Sequence, residues 1–203
     1  MNDSDEKKYP LKTDQLLKDC LSGGKSDSRE PETISSRIKN AGRFRLVEKI
    51  LKGQKGEYPY SYIKIKSGVV VLPFYNGKIV AIRQFRPAFE KFLYELPAGV
   101  IDEGELPEQT AIRELKEETG YIAENAKYLG CFYPSPGATE EVIELYLAEC
   151  TGNGEQQPEI SEQIDVCVMD IAEFENKIKN NEFLHGGGIA AYLKYKLLCG
   201  KET

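Results

Sequence analysis

Apolar positions recur with a period of two in some segments and near 3.6 in others, and the changes of period mark the elements. From Arg43 the pattern is that of strands. Phe44, Leu46, Glu48 and Ile50 fall on one face, three of the four apolar. Next, Tyr62, Lys64 and Lys66 alternate with Ile63 and Ile65 over 60–66. The run 69–74 is unbroken apolar and predicts a buried strand. Asn76-Gly77 then predicts a tight hairpin, because both central residues of a type I′ turn need positive φ. The return strand covers 78–85. Further strands are predicted over 127–133, 141–150 and Ile164–Met169; in the second, Ile143, Leu145 and Leu147 share a face.

Three segments predict helices. Pro107–Thr119 has proline in its first turn and stops at Gly120. The segment 170–179 opens on an Asp170/Glu173 capping pair. The segment 188–198 is the last. Strands interspersed with a few helices imply a mixed α/β sandwich. The polar stretch 151–161 contains two glycines and Pro158 and reads as a flexible loop. Residues 1–42 stand apart, rich in Ser, Lys, Asp and Glu, with only Leu16, Leu17 and Leu21 hinting at a helix. They read as an N-terminal extension, partly disordered or associated with a dimer contact, ahead of one domain over 43–200.

Composition adds bounds. The chain has 203 residues, 40% hydrophobic and 30% charged, as expected of one globular domain. With 27 basic and 33 acidic residues the net charge is −6, which argues against nucleic-acid or membrane-surface binding. It leaves room for one small phosphorylated ligand held by local positive charge or a metal. The five cysteines are odd in number, widely spread and without a CxxC pair, so a disulfide framework or structural zinc is not expected. No signal peptide and no membrane span is read from the chain, and a reduced, cytoplasmic protein is expected.

The densest chemistry lies in ELPAGVIDEGELPEQTAIRELKEETGY, residues 95–121. On a helix, Glu114, Glu117 and Glu118 fall within an arc of roughly 100°. Ala111, Ile112 and Leu115 take the neighbouring arc and would face the core. Glu114 and Glu118 stack one turn apart, and like charges so placed cost about 0.2–0.5 kcal/mol per pair. A divalent cation between them reverses the sign, and hard Mg²⁺ prefers carboxylate and carbonyl oxygens. A plain solvated acidic face is the other reading of the same pattern.

The segment resembles the Nudix box, G-x5-E-x7-R-E-U-x-E-E-x-G-U with U a bulky aliphatic. Gly99, Glu105, Arg113, Glu114, Glu117, Glu118 and Gly120 fill all seven fixed positions, and Leu115 the first U after the arginine. At roughly 7% usage per residue type, seven matches at one start have chance odds on the order of 10⁻⁸. Tyr121, aromatic where the pattern wants an aliphatic residue, is the one departure. The resemblance implies an α/β/α sandwich with a mixed sheet that hydrolyses diphosphates linked to another moiety. It implies Glu114, Glu117, Glu118 and the carbonyl of Ala98 as metal ligands, for Mg²⁺ or alternatively Mn²⁺. Arg113 would hold a box glutamate, Glu105 would fix the loop, and Gly99 would let the backbone pass close to metal and phosphate.

The flanks AIRQFRP and PSPGATEE resemble the ADP-ribose and nucleoside-diphosphate-sugar pyrophosphatase branch. That likeness implies substrate contacts from Arg86, a wall over the sugar from Ser135, Pro136 and Gly137, and Glu141 nearby. It also implies a general base on the loop before the strand Ile164–Met169, where Glu162 is the best positional match and a box glutamate the fallback. Tyr60 is the candidate for stacking on adenine. His185, the sole histidine, receives no role. The expected reaction is hydrolysis of ADP-ribose to AMP and ribose 5-phosphate. GDP-mannose, ADP-glucose or UDP-glucose as substrate, and a non-catalytic nucleotide-sugar sensor, are the alternatives. A homodimer is expected from the same likeness.

Overall fold

A computed structural model describes residues 29–42 and 44–199. In chain order the described elements are β1 (Glu32–Ala41), β2 (Phe44–Gly53), β3 (Gly56–Lys64), β4 (Gly68–Tyr75), β5 (Lys78–Arg86), β6 (Lys91–Glu95), β7 (Ala98–Val100), α1 (Pro107–Thr119), β8 (Tyr121–Ile122), β9 (Lys127–Phe132), β10 (Ile143–Glu149), β11 (Gly152–Asn153), β12 (Ile164–Met169), α2 (Ile171–Lys179) and α3 (Gly186–Cys199). The leucines at 16, 17 and 21 lie outside the described residues.

The central sheet has seven strands in the order β12-β5-β4-β10-β9, with β6 on β5 and β7 on β4. β4 and β10 run parallel, and the other pairs antiparallel, so the sheet is mixed. The unbroken apolar run of β4 follows from helices on both faces. Val70, Leu72 and Phe74 point to a core shared with Phe174 of α2 and with Ala191 and Tyr192 of α3. Val69 and Val71 point the other way, to Ala111 and Leu115 of α1. The result is the α/β/α sandwich. The hairpin after β4 turns at Asn76 and Gly77, with φ of 49° and 75°.

β1, β2 and β3 form a separate antiparallel sheet. Two expectations change here. A strand begins at Glu32, inside the stretch read as an extension, and every residue of it is exposed. A strand held by its backbone ladder alone carries no alternating apolar signal. In β2 the buried residue is Val47, on the opposite face from Phe44, Leu46 and Ile50. The run FRLVEKIL has apolar residues at both parities, so alternation does not choose a face.

Three further differences bear on chemistry. Asp170 precedes α2 in an extended conformation, but its side chain makes no cap hydrogen bond; it pairs instead with Lys78 Nζ at 3.1 Å. The stretch 151–161 is tied down at its first half. β11 pairs with β8, Gly154 N–H donates to Gly120 O at 2.8 Å, and Gln157 N–H donates to Glu117 O at 2.8 Å. Gln156 Nε2 donates to Glu118 O. These donors meet carbonyls at the end of α1 that have no partner within the helix. Lastly, Cys150 and Cys167 are free thiols, whereas Cys131 is disulfide-bonded, a departure from the all-reduced reading at that position. Among the described residues no helix is long and apolar enough to cross a membrane.

Candidate active site

The site is assembled where β7 meets α1. The β4–β7 ladder sets Ala98 opposite Val70 and Gly99 opposite Val69. A turn closed by Glu105 N–H on Asp102 O at 3.1 Å then leads into α1. Pro107 opens the helix, and Gly120 ends it in the left-handed region at φ 74°. The three helix glutamates are graded by depth. Glu118 is 1% exposed, and the side chains of Glu114 and Glu117 are 14% and 40% exposed.

Glu118 Oε2 accepts the Ala98 N–H at 3.0 Å and has no ion pair among the described residues. Burial pushes its carboxyl up to about 9, and the charges of Glu114 and Glu162 add to that rise. Burial also raises Glu114, against the pull of Arg113. A Cβ on Gly99 would overlap the Glu114 carboxylate, so only glycine lets β7 and this side chain approach so closely.

Arg113 organises the rest. Its Nε and Nη2 donate to Glu105 at 2.9 and 3.0 Å, while Nη1 donates to Glu114 at 2.8 Å and to Glu117 at 2.9 Å. Glu105 also accepts Thr110 Oγ1 at 2.7 Å. Arg113 and these bonds hold the Glu105 carboxyl down at about 2. Arg113 thus ties Glu105, in the loop before α1, to Glu114 and Glu117 on the helix.

Beside this cluster lies a cleft of about 580 Å³, lined among others by Arg86, Ala98, Gly99, Glu141 and His185. Arg86 is clamped by Glu95, Nε to Oε1 at 2.7 Å and Nη2 to Oε2 at 2.6 Å. Burial raises Glu141 above the usual carboxylate range. Glu162 is half-buried; its carboxylate accepts Glu159 N–H at 3.0 Å, and its charge acts on Glu114, Glu118 and Arg86. The structure thus brings Arg86, Ala98 and Gly99 to the cleft with Glu114 against Gly99 and Glu118 against Ala98, Glu117 at the rim, and Glu162 near enough for its charge to act on Glu114 and Glu118. Pro136 is exposed in the turn 135–139, and it is Pro134 that lines the cleft. Tyr60 stands apart from that cleft on β3, its hydroxyl donating to Gly137 O at 3.2 Å.

The donor set suits a hard cation, since the box carries four carboxylates, Glu105, Glu114, Glu117 and Glu118, and among the described residues Arg113 is the one cation paired with any of them. The set is not drawn into a shell. Among the described residues no three acidic, histidine or cysteine side chains converge for a metal; Arg113 occupies Glu114 and Glu117, and Glu118 is turned to Ala98.

Three residues with a part in this arrangement carry no local signal in the sequence. Glu95 lies nine positions from Arg86 and sits opposite Ile82 rather than opposite Arg86 in the β5–β6 register, so no spacing rule pairs it with that arginine. Gln156 lies 38 positions from the carbonyl it caps. His185 reaches Leu96 across 89 positions.

A family model, the NUDIX domain, matches residues 64–187. The chain is 41% identical over 110 residues to the ADP-ribose pyrophosphatase of Bacillus subtilis and 37% identical over 110 residues to the methanol dehydrogenase activator of Bacillus methanolicus. Each match takes in 54% of this chain, which spans 60% of the length of these relatives. The crystal structure of an ADP compounds hydrolase superposes with a TM-score of 0.76 at 19% identity, over 85% of this chain and 96% of the other, a likeness of fold. The box geometry and the matched domain model agree, and the chain belongs to the NUDIX family.

Proposed function

We propose that this chain hydrolyses the diphosphate of ADP-ribose to AMP and ribose 5-phosphate with the help of Mg²⁺. The observation that carries the reading is the excess of carboxylate over paired cation at one end of α1, with Glu118 buried, beside a cleft that Arg86 lines. The family generally works with divalent metals, and the Bacillus subtilis relative is named for ADP-ribose.

Glu114, Glu117, Glu118 and the carbonyl of Ala98 would hold the cation, Mg²⁺ or alternatively Mn²⁺. Bound there, it would neutralise phosphate charge and make water a better nucleophile. The chain's own residues do the rest. Glu95 aims the Arg86 guanidinium, which binds a phosphate oxygen. Gly99 keeps the floor low enough for the diphosphate to approach. Glu162 takes a proton as the water oxygen bonds to one phosphorus, and the bridging P–O bond breaks with its electron pair leaving on the other phosphate. Pro136 and Glu141 border the sugar side. Tyr60, on the sheet of β1, β2 and β3, stacks on adenine across a homodimer contact. The expected ligand is a small nucleotide sugar, with no nucleic-acid or membrane partner.

The test is direct. Purified protein incubated with ADP-ribose and Mg²⁺ yields AMP and ribose 5-phosphate, and chelation stops it. Inactivity on ADP-ribose with both Mg²⁺ and Mn²⁺ sinks the assignment. Parallel assays with GDP-mannose, ADP-glucose and UDP-glucose rank the substrates.

A further inference from the structure

We propose that His185 is a substrate-binding residue whose Nε2–H donates to a non-bridging phosphate oxygen of the diphosphate. The proposal rests on the ADP-ribose reading above and assigns a contact within that site. The tautomer follows from one bond. Leu96 N–H donates to His185 Nδ1 at 3.2 Å, and an amide proton needs a lone pair to receive it. Nδ1 is therefore bare, and the neutral ring carries its proton on Nε2. Burial lowers the pKa of this imidazole, which supports the neutral form.

Nε2–H has no hydrogen-bond partner within the described residues, yet it is not a sealed polar atom: Gln84 Oε1 alone is both buried and unpartnered among them. His185 lines the cleft together with Arg86, and its Nε2 lies against Gly187, which lines the same cleft. The Arg86–Glu95 pair lies close enough for both charges to act on the imidazole. Glu95 occupies Nε and Nη2 of Arg86, and Arg86 lines the same cleft. Gly186 and Gly187, which open the 14-residue helix α3, line the cleft beside the ring. A cation, a fixed neutral donor and the positive end of a helix favour an anionic oxygen over a sugar hydroxyl. A ring held by its other nitrogen also offers this hydrogen bond with little loss of freedom on binding.

Because the chain has one histidine, labelling the full-length protein with ¹⁵N-histidine gives one imidazole to observe. The free protein should show the Nε2–H tautomer. Saturation with the methylene-bridged, non-hydrolysable analogue of ADP-ribose plus Mg²⁺, or with inorganic pyrophosphate, should move the Nε2 resonance and slow its exchange with water. Calorimetric binding with an unmoved Nε2 overturns the proposal alone. A response to the analogue but not to pyrophosphate puts the contact on sugar and overturns it as well. Absence of analogue binding brings down the ADP-ribose reading and this inference with it. Two variants separate binding from support. His185→Asn keeps an acceptor for Leu96 N–H but does not reach the Nε2 position; His185→Gln reaches that position and gives up the acceptor. The expected result is an ADP-ribose KM raised about ten-fold in His185→Asn at unchanged Tm, with His185→Gln near wild type. The opposite ranking overturns the proposal.

Discussion

The Ala98 amide donates to the Glu118 carboxylate at 3.0 Å, joining the strand that precedes the box loop to the last turn of the helix that follows it. Burial of this acid outweighs the lowering by that bond and by the Arg86 charge, and its carboxyl rises to about 9. The folded state then prefers the protonated acid. That contribution to stability is full below the unfolded value near 4.5 and is lost as pH rises towards 9. In the presence of EDTA, wild type should lose stability over that window in urea melts, and Glu118→Gln should lose less. Mg²⁺ should raise the Tm of wild type at pH 8 and leave that of the variant unmoved. Turnover of Glu118→Gln should fall by about 10³-fold or more. Near-normal rates would remove Glu118 from the metal set.

Gly99→Ala tests the close approach of β7 to α1. The added methyl would overlap the Glu114 carboxylate, and a flexible side chain gives way before backbone does. The variant should keep its fold by circular dichroism while Glu114 is displaced. A fall in kcat of about 10²-fold is expected, as for a misplacement of about 1 Å in a catalytic group. An unaffected kcat would show that Glu114 is not needed where the structure holds it.

Local chemistry made some of this legible in the sequence, and long-range pairing hid the rest. The bounds of α1 could be read because Pro107 and Gly120 act on their own backbone, as does the Asn76-Gly77 turn. The apolar run of β4 was readable because both of its faces are covered. β1 was not, since its exposed side chains carry no pattern. Asp170 has the residue type and spacing of a helix cap, yet Lys78 on β5 captures its side chain. The polar composition of 151–161 suggests freedom, but the end of α1 needs donors and finds them in Gly154, Gln156 and Gln157. Composition reports what a segment lacks for a core and says nothing of the carbonyls it will meet.

Glu105→Gln should act on stability through Arg113. The salt bridge holds the Glu105 carboxyl at about 2, below its ordinary value, so its contribution is present above about 4.5 and lost as pH falls through 2. With the side chain 19% exposed, the loss in the variant should be on the order of 1–3 kcal/mol at pH 7. Urea titrations at pH 7 and pH 3 check this, the gap between variant and wild type narrowing at the lower pH. A gap independent of pH would mean that the charge of Glu105 contributes nothing.

Glu162 is the remaining acid whose charge reaches both Glu114 and Glu118, and it follows a segment pinned to α1 by Gln156 and Gln157. A base on such a tether can reach a water at the carboxylate cluster without being a permanent member of that cluster. Glu162→Gln should therefore lower kcat for ADP-ribose by about 10²–10⁴-fold while KM stays within about two-fold. Its Mg²⁺ affinity by calorimetry should match wild type, which separates a proton acceptor from a metal ligand. An equal loss in metal affinity would move Glu162 into the metal set, and an unchanged kcat would return the base to one of the box glutamates.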